Sequence, residues 1–136
     1  MQKTSFLELA GKRRSVRAYK PDSVPEELLQ TVLEAGRLAP SAVNKQPWRF
    51  IVVGSETGRR ALGAAYAREW FWKAPIVIVV CVLPMDAWVR SYDGKNYALV
   101  DGALAMDHMQ LAAAELGLGT CWIGRASCRE RVSGVV

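Results

Sequence analysis

The chain has 136 residues, 51% of them hydrophobic and 23% charged, with a formal net charge of +5. That length suits one domain with a core of its own, and the composition excludes a disordered or fibrous chain. The basic excess permits anionic ligands without choosing among nucleotide, nucleic acid and membrane surface. Cys81, Cys121 and Cys128 form no C-x-x-C pair, and His108 is the one histidine. A zinc site or a disulfide framework is therefore not expected, and a reducing cytoplasm fits. Met1 to Leu9 carries charges and no long apolar run, unlike a secretory signal. The most apolar stretch, Ala74 to Leu83, is about half the length of a spanning helix, so no membrane partner is expected.

In chain order, Thr4 to Ala10 predicts a short helix with Phe6, Leu7 and Ala10 on one face, ended by Gly11. Lys12-Arg13-Arg14-Ser15-Val16-Arg17 follows, a basic knot whose guanidinium forks and hydroxyl suit a phosphate. Alone, such a run reads better as a solvated basic turn. Ser23-Val24-Pro25-Glu26 predicts a helix start, with Ser23 capping and Glu26 reaching back. Leu28, Leu29, Val32, Leu33 and Ala35 then give one apolar stripe up to Gly36.

Pro40 to Pro47 is irregular, because two prolines bracket small and turn-forming residues. Trp48 to Val53 predicts a strand, Thr57 to Tyr66 a helix, and Ile76 to Leu83 a strand buried on both faces. The aromatic segment Arg68 to Lys73 has no clear assignment, and Pro84 to Lys95 reads as loop. Asn96 to Leu116 predicts the longest helix, closed by Gly117, and Leu118 to Trp122 a short strand. With no repeat and no linker, the expectation is a single α+β sandwich.

Three separated pieces together resemble the FMN-dependent nitroreductase family. They are Arg13-Arg14-Ser15-Val16-Arg17, then Ala39-Pro40-Ser41-Ala42-Val43-Asn44-Lys45-Gln46-Pro47-Trp48, then Gly117-Leu118-Gly119-Thr120-Cys121-Trp122-Ile123-Gly124. They occur in the family's order, and the resemblance spans about residues 3 to 124. It implies a three-layer α/β/α sandwich with a central, mostly antiparallel sheet flanked by helices, and a homodimer with FMN at the interface.

The resemblance also assigns roles. Arg13, Arg14 and Ser15 match ligands of the FMN phosphate, and Arg17 matches a cation near flavin N1 and O2. A charge there favours the anion that develops on reduction. Pro40, Ser41, Ala42 and Asn44 match a loop that meets the ring and ribityl chain from the partner subunit. Ile123 and Gly124 match the segment whose backbone N–H points at flavin N5. No side chain is assigned to acid–base catalysis. His108 reads as a packed or interface histidine, the Trp70, Phe71 and Trp72 cluster as packing by default, and Asp101 receives no role.

Past Gly124 the resemblance stops. Residues 125–136 show neither helical nor strand periodicity, and Ile123 to Val132 matches the translation of a common sequencing adapter, ATCGGAAGAGCGTCGTGTAGGGAAAGAGTG. The expected domain is therefore 1–124, incomplete at its C-terminal end, followed by a non-native tail over 125–136. Native codons continuing through that stretch at the source locus would sink this idea. The tail holds three arginines and one glutamate, two of the five net positive charges.

The implied activity is an FMN-dependent oxidoreductase that passes electrons from NADH or NADPH to a nitroaromatic, quinone or similar acceptor in ping-pong fashion. The alternative is an inactive truncated flavin-binding fragment, distinguished by flavin that binds but is never reduced. A third reading, a nucleic-acid binder using Arg13 to Arg17, lacks any nucleic-acid motif, and no nucleic-acid partner is expected.

Overall fold

The computed structural model describes residues 5–124 and 133–135. Helix α1 (Phe6–Lys12) opens with a capping box between Ser5 and Glu8. The Ser5 hydroxyl accepts the Glu8 amide at 3.2 Å, and the Glu8 carboxylate accepts the Ser5 amide at 2.8 Å. Gly11 lies inside this helix rather than ending it, and Arg13 is the C-cap. Its predicted apolar face stays in solvent, with Phe6 67% and Leu7 82% exposed.

Helix α2 (Glu26–Arg37) corrects the expected cap: Pro25 is the N-cap and no side chain caps there. Proline fixes the turn by itself, and the Leu28 and Leu29 amides both donate to the Pro25 carbonyl. The predicted stripe does reach the core, through Leu29 and Val32 with Leu33 beside them.

Strand β1 (Trp48–Val53) has the predicted bounds, and helix α3 (Glu56–Leu62) begins at Ser55, whose hydroxyl accepts the Gly58 amide. That helix stops four residues before the expected Tyr66. Bonds from Ala64 to Ala61 and from Ala65 to Leu62 tighten the chain there. Arg59 then ties the turn down, donating to the carbonyls of Trp72 at 3.3 Å and Pro75 at 2.8 Å. The unassigned aromatic segment forms a short helix, α4 (Glu69–Lys73), with Phe71 buried.

Strand β2 (Val77–Val82) precedes the long helix α5 (Ala98–Glu115), which ends at Gly117 with φ of 77°, a left-handed conformation that glycine adopts without strain. Strands β3 (Trp122–Ile123) and β4 (Ser133–Val135) complete a four-stranded sheet of order β1-β2-β4-β3. All its pairings are antiparallel. Strand β4 forms at 133–135 although residues 125–136 show no strand periodicity. An open edge of β2 offers unpaired backbone groups to any extended segment, whatever its side-chain pattern. Residues 125–132 and 136 lie outside the described residues, and with them the rest of that expectation.

Strand β2 is buried on both faces, as its lack of polar alternation predicts. Ile78 and Val80 face a cluster with Leu29, Val32, Ala105, Met106 and Met109 from α2 and α5. Val77 and Val79 face a second cluster with Phe71, Ala74 and Ile123 on the α3–α4 side. The result is the expected α+β sandwich, with helices on both sides of an antiparallel sheet. No helix among the described residues is long and apolar enough to cross a membrane.

Candidate functional site

Beyond α1 the basic run is extended and is fixed to the segment after α5. Ser15 makes a parallel bridge with Thr120, and the Val16 amide donates to the Thr120 carbonyl at 2.8 Å. Close approach is possible because position 119 is glycine: a Cβ there would lie 2.9 Å from Val16 Cγ2. Tyr19 donates its hydroxyl to the Val16 carbonyl at 2.7 Å. Burial, with a smaller push from Cys121 and opposition from Arg17, holds that phenol well above its usual range, so it stays a donor.

Two concavities border these segments. A cleft of about 200 Å³ is walled by Arg13 and Arg14 together with Gly117 to Thr120. A cavity of about 550 Å³ is walled by Arg17, Tyr66, Arg68, Trp70, Trp122, Ile123 and Gly124. No acidic residue lines either one among the described residues, so both favour anionic groups. The aromatic wall is built by edge contacts of Tyr66 with Trp70 at 5.8 Å and with Phe71 at 5.5 Å between ring centroids. Buried Phe71 anchors it. A further cavity of about 390 Å³ lies between Leu29, Val32 and Ile78 and the joined segments at Val16 and Gly117 to Thr120, and it touches none of the expected site residues.

The loop Pro40 to Pro47 is tightly specified. Val43, Asn44 and Gln46 have φ of 52°, 55° and 50°, the left-handed region that costs a non-glycine residue about 1–2 kcal/mol. Internal bonds hold it: the Ser41 hydroxyl accepts the Gln46 amide at 2.9 Å, and Asn44 Oδ1 accepts from Gln46 Nε2 at 3.3 Å. A long-range bond runs from the Ala42 amide to Asp101 Oδ1 at 3.0 Å.

The structure therefore brings Arg17, Ile123 and Gly124 to one cavity and Arg13 and Arg14 to a neighbouring cleft, with Ser15 on the bridge between their segments. Pro40, Ser41, Ala42 and Asn44 line neither within one protomer. Sequence reasoning missed Thr120, Gly119 and Asp101, and left the neighbourhood of Arg68 open. Asp101 did carry a signal, as the one charged residue in the apolar stretch from Ala98 to Met106. His108 is half-buried, with Nδ1 3.1 Å from the Leu104 carbonyl of its own helix and outside the cavities described. Among the described residues no three His, Cys, Asp or Glu side chains are grouped to hold a metal ion.

Residues 10–71 and 62–132 match the model of the nitroreductase family. A protein of Methanothermobacter thermautotrophicus, provisionally named an NADH dehydrogenase/NAD(P)H nitroreductase, is 35% identical over 136 residues, covering 99% of this chain and 69% of its own. The chain belongs to the nitroreductase family. Solved structures of family members superpose closely. A nitroreductase family protein of Clostridium difficile 630 gives a TM-score of 0.88 at 33% identity, over 98% of this chain and 83% of its own. A nitroreductase of Bacteroides fragilis with bound FMN gives 0.67 at 28% identity, over 90% of this chain and 71% of its own.

The groups present in this nitroreductase family member fit FMN. Arg13 and Arg14 bring guanidinium donors to a cleft free of carboxylates among the described residues. Arg17, Ile123 and Gly124 border a cavity with aromatic residues in its walls. Glycine at 119 keeps the two segments close enough to act as one surface.

Proposed function

We propose that the protein is an FMN-dependent oxidoreductase that takes electrons from NADH or NADPH and delivers them to nitroaromatic, quinone or similar acceptors. The observation that carries this reading is the convergence of Arg17 with Ile123 and Gly124 on one cavity from opposite ends of the chain. These are the residues expected at the two electronically important edges of a flavin. When held by these residues, FMN would supply the redox chemistry of a ping-pong hydride and electron exchange centred on its N5 edge.

The protein's own part is binding, orientation and charge. Arg13, Arg14 and Ser15 would hold the phosphate by charge-assisted hydrogen bonds. Arg17 would stabilise negative charge at the N1–O2 edge, and the backbone of Ile123 and Gly124 would present an N–H toward N5. Pro40, Ser41, Ala42 and Asn44 would complete the site from a partner subunit. This assignment accords with their absence from both concavities of a single protomer.

A homodimer is further supported by apolar surface on α5, where Leu99, Val100 and Leu104 are 46%, 39% and 37% exposed. The test is anaerobic: purified protein is titrated with FMN, then mixed with NADH or NADPH while flavin absorbance is followed. Tight binding and bleaching are expected. Absence of any flavin band after FMN addition would overturn the reading, and flavin bound but never bleached would favour a non-catalytic flavin-binding fragment.

A further inference from the structure

Resting on the flavin reading above, we propose that Asp101 is a positioning residue that holds the Ser41–Gln46 loop in its flavin-binding shape by accepting the Ala42 amide hydrogen. The bond spans 59 positions of chain at 3.0 Å, and it is the tie between α5 and the middle of the loop. Asp101 is 1% exposed, and its second oxygen, Oδ2, is buried with no hydrogen-bond partner among the described residues. An orphaned buried carboxylate oxygen is a cost that core packing alone does not explain, and such costs gather where geometry is being enforced.

Two features make the tie rigid. Asp101 sits in the first turn of α5, where the helix N-terminus favours negative charge. Its neighbour Gly102 lies so close to β2 that a Cβ would come 2.5 Å from Val82 Cγ1, so the helix has no room to move inward. At the far end of the loop, the Leu83 amide donates to the Pro47 carbonyl at 2.8 Å. The left-handed residues Val43, Asn44 and Gln46 lie between these two anchors. Without the Asp101 bond the loop is free to relax toward ordinary backbone angles, and it would have to be reordered each time flavin binds. That raises the cost of binding without removing any flavin contact.

The experiment compares wild type, Asp101→Ala, Asp101→Asn and Ala105→Gly, a helix-weakening control one turn further along α5 that leaves both partners of the Asp101–Ala42 bond in place. Amide hydrogen exchange of flavin-free protein reads the loop, and flavin fluorescence quenching reads FMN affinity. Asp101→Ala is expected to speed exchange at Asn44 to Gln46 and to weaken FMN binding about tenfold, against less than about threefold for Asp101→Asn, which keeps an oxygen acceptor. Ala105→Gly should lower the melting temperature while leaving FMN affinity unchanged. Unchanged loop exchange in Asp101→Ala overturns the clamp, whatever the flavin does. Faster exchange with unchanged FMN affinity overturns the positioning role. An equal loss in Ala105→Gly reduces Asp101 to a stability residue and overturns it likewise. Wild type that binds no FMN overturns the flavin reading itself, and the positioning role with it.

Discussion

The Val16 amide donates to the Thr120 carbonyl at 2.8 Å, joining the basic run near the start of the chain to the segment that follows its longest helix. Every expected phosphate and ring contact outside the 40–47 loop hangs from these two joined segments. The bond works only because Gly119 gives Val16 room.

Replacing Gly119 with alanine should therefore part the segments. A Cβ 2.9 Å from Val16 Cγ2 and 3.1 Å from its Cβ meets a branched side chain close to its own backbone, which has little freedom to yield. We expect a loss of about 1–3 kcal/mol, the usual cost of overpacking, with valine worse than alanine. Urea unfolding would measure it, and an unchanged midpoint for Gly119→Val would refute it.

The arginines make a prediction about ligand chemistry. Arg13→Ala and Arg14→Ala should each weaken FMN binding by about tenfold or more, since a hydrogen bond to a charged group contributes about 1.5–3 kcal/mol. Riboflavin lacks the phosphate, so its affinity should hardly change. Parallel fluorescence titrations with the two flavins separate the roles. Equal losses for both would remove these residues from the phosphate.

On α5, Leu104→Glu should disrupt the proposed homodimer, because it sets a carboxylate on the apolar surface made with Leu99 and Val100. Burying that charge without a partner costs well over about 2 kcal/mol. Sedimentation should show a shift toward monomer, and FMN affinity should fall with it if the partner's loop completes the site. A variant that stays dimeric would place the interface elsewhere.

Stability should decline on the acid side. Ser5 holds Glu8 below its ordinary value of 4.5 through its backbone amide, and Arg37 and Lys73 do the same for Glu34 and Glu69 by side-chain hydrogen bonds. Arg90 likewise lowers Asp93 from 3.8. A carboxyl depressed in the folded state stabilises it above the unfolded value and loses that contribution as pH falls through the folded one. Thermal melts should thus be flat from neutral pH to about 5 and fall below about 4.5, by a small amount because these pairs are on the surface. A rise in melting temperature on acidification would contradict the assignment.

How much of this was legible beforehand differs by residue. β1 and the buried strand β2 were readable because period and composition are local properties, and side chains that avoid water announce themselves in a short window. Arg13 to Arg17 and Ile123-Gly124 were readable as motifs. The cap of α2 was misread because Ser23 and Glu26 have the right spacing, yet the Pro25 ring imposes the turn geometry before Ser23 can bond. Strand β4 could not be read at all, since a strand edge selects its partner by backbone hydrogen bonds.

By itself the sequence determined the α+β class, the order of the elements other than α4 and β4, and the chemistry offered: guanidinium groups, a glycine-bearing turn, aromatic rings and an apolar long helix. Those follow from local propensity and side-chain identity. Only the tertiary structure decided that Arg17 shares a cavity with Ile123 and Gly124, that Pro40 to Asn44 does not reach it within one protomer, and that Asp101 grips Ala42. Each is a contact between distant stretches of chain. Such contacts arise from the packing of α5 on β2 and of Val16 on Gly119, which no local pattern encodes.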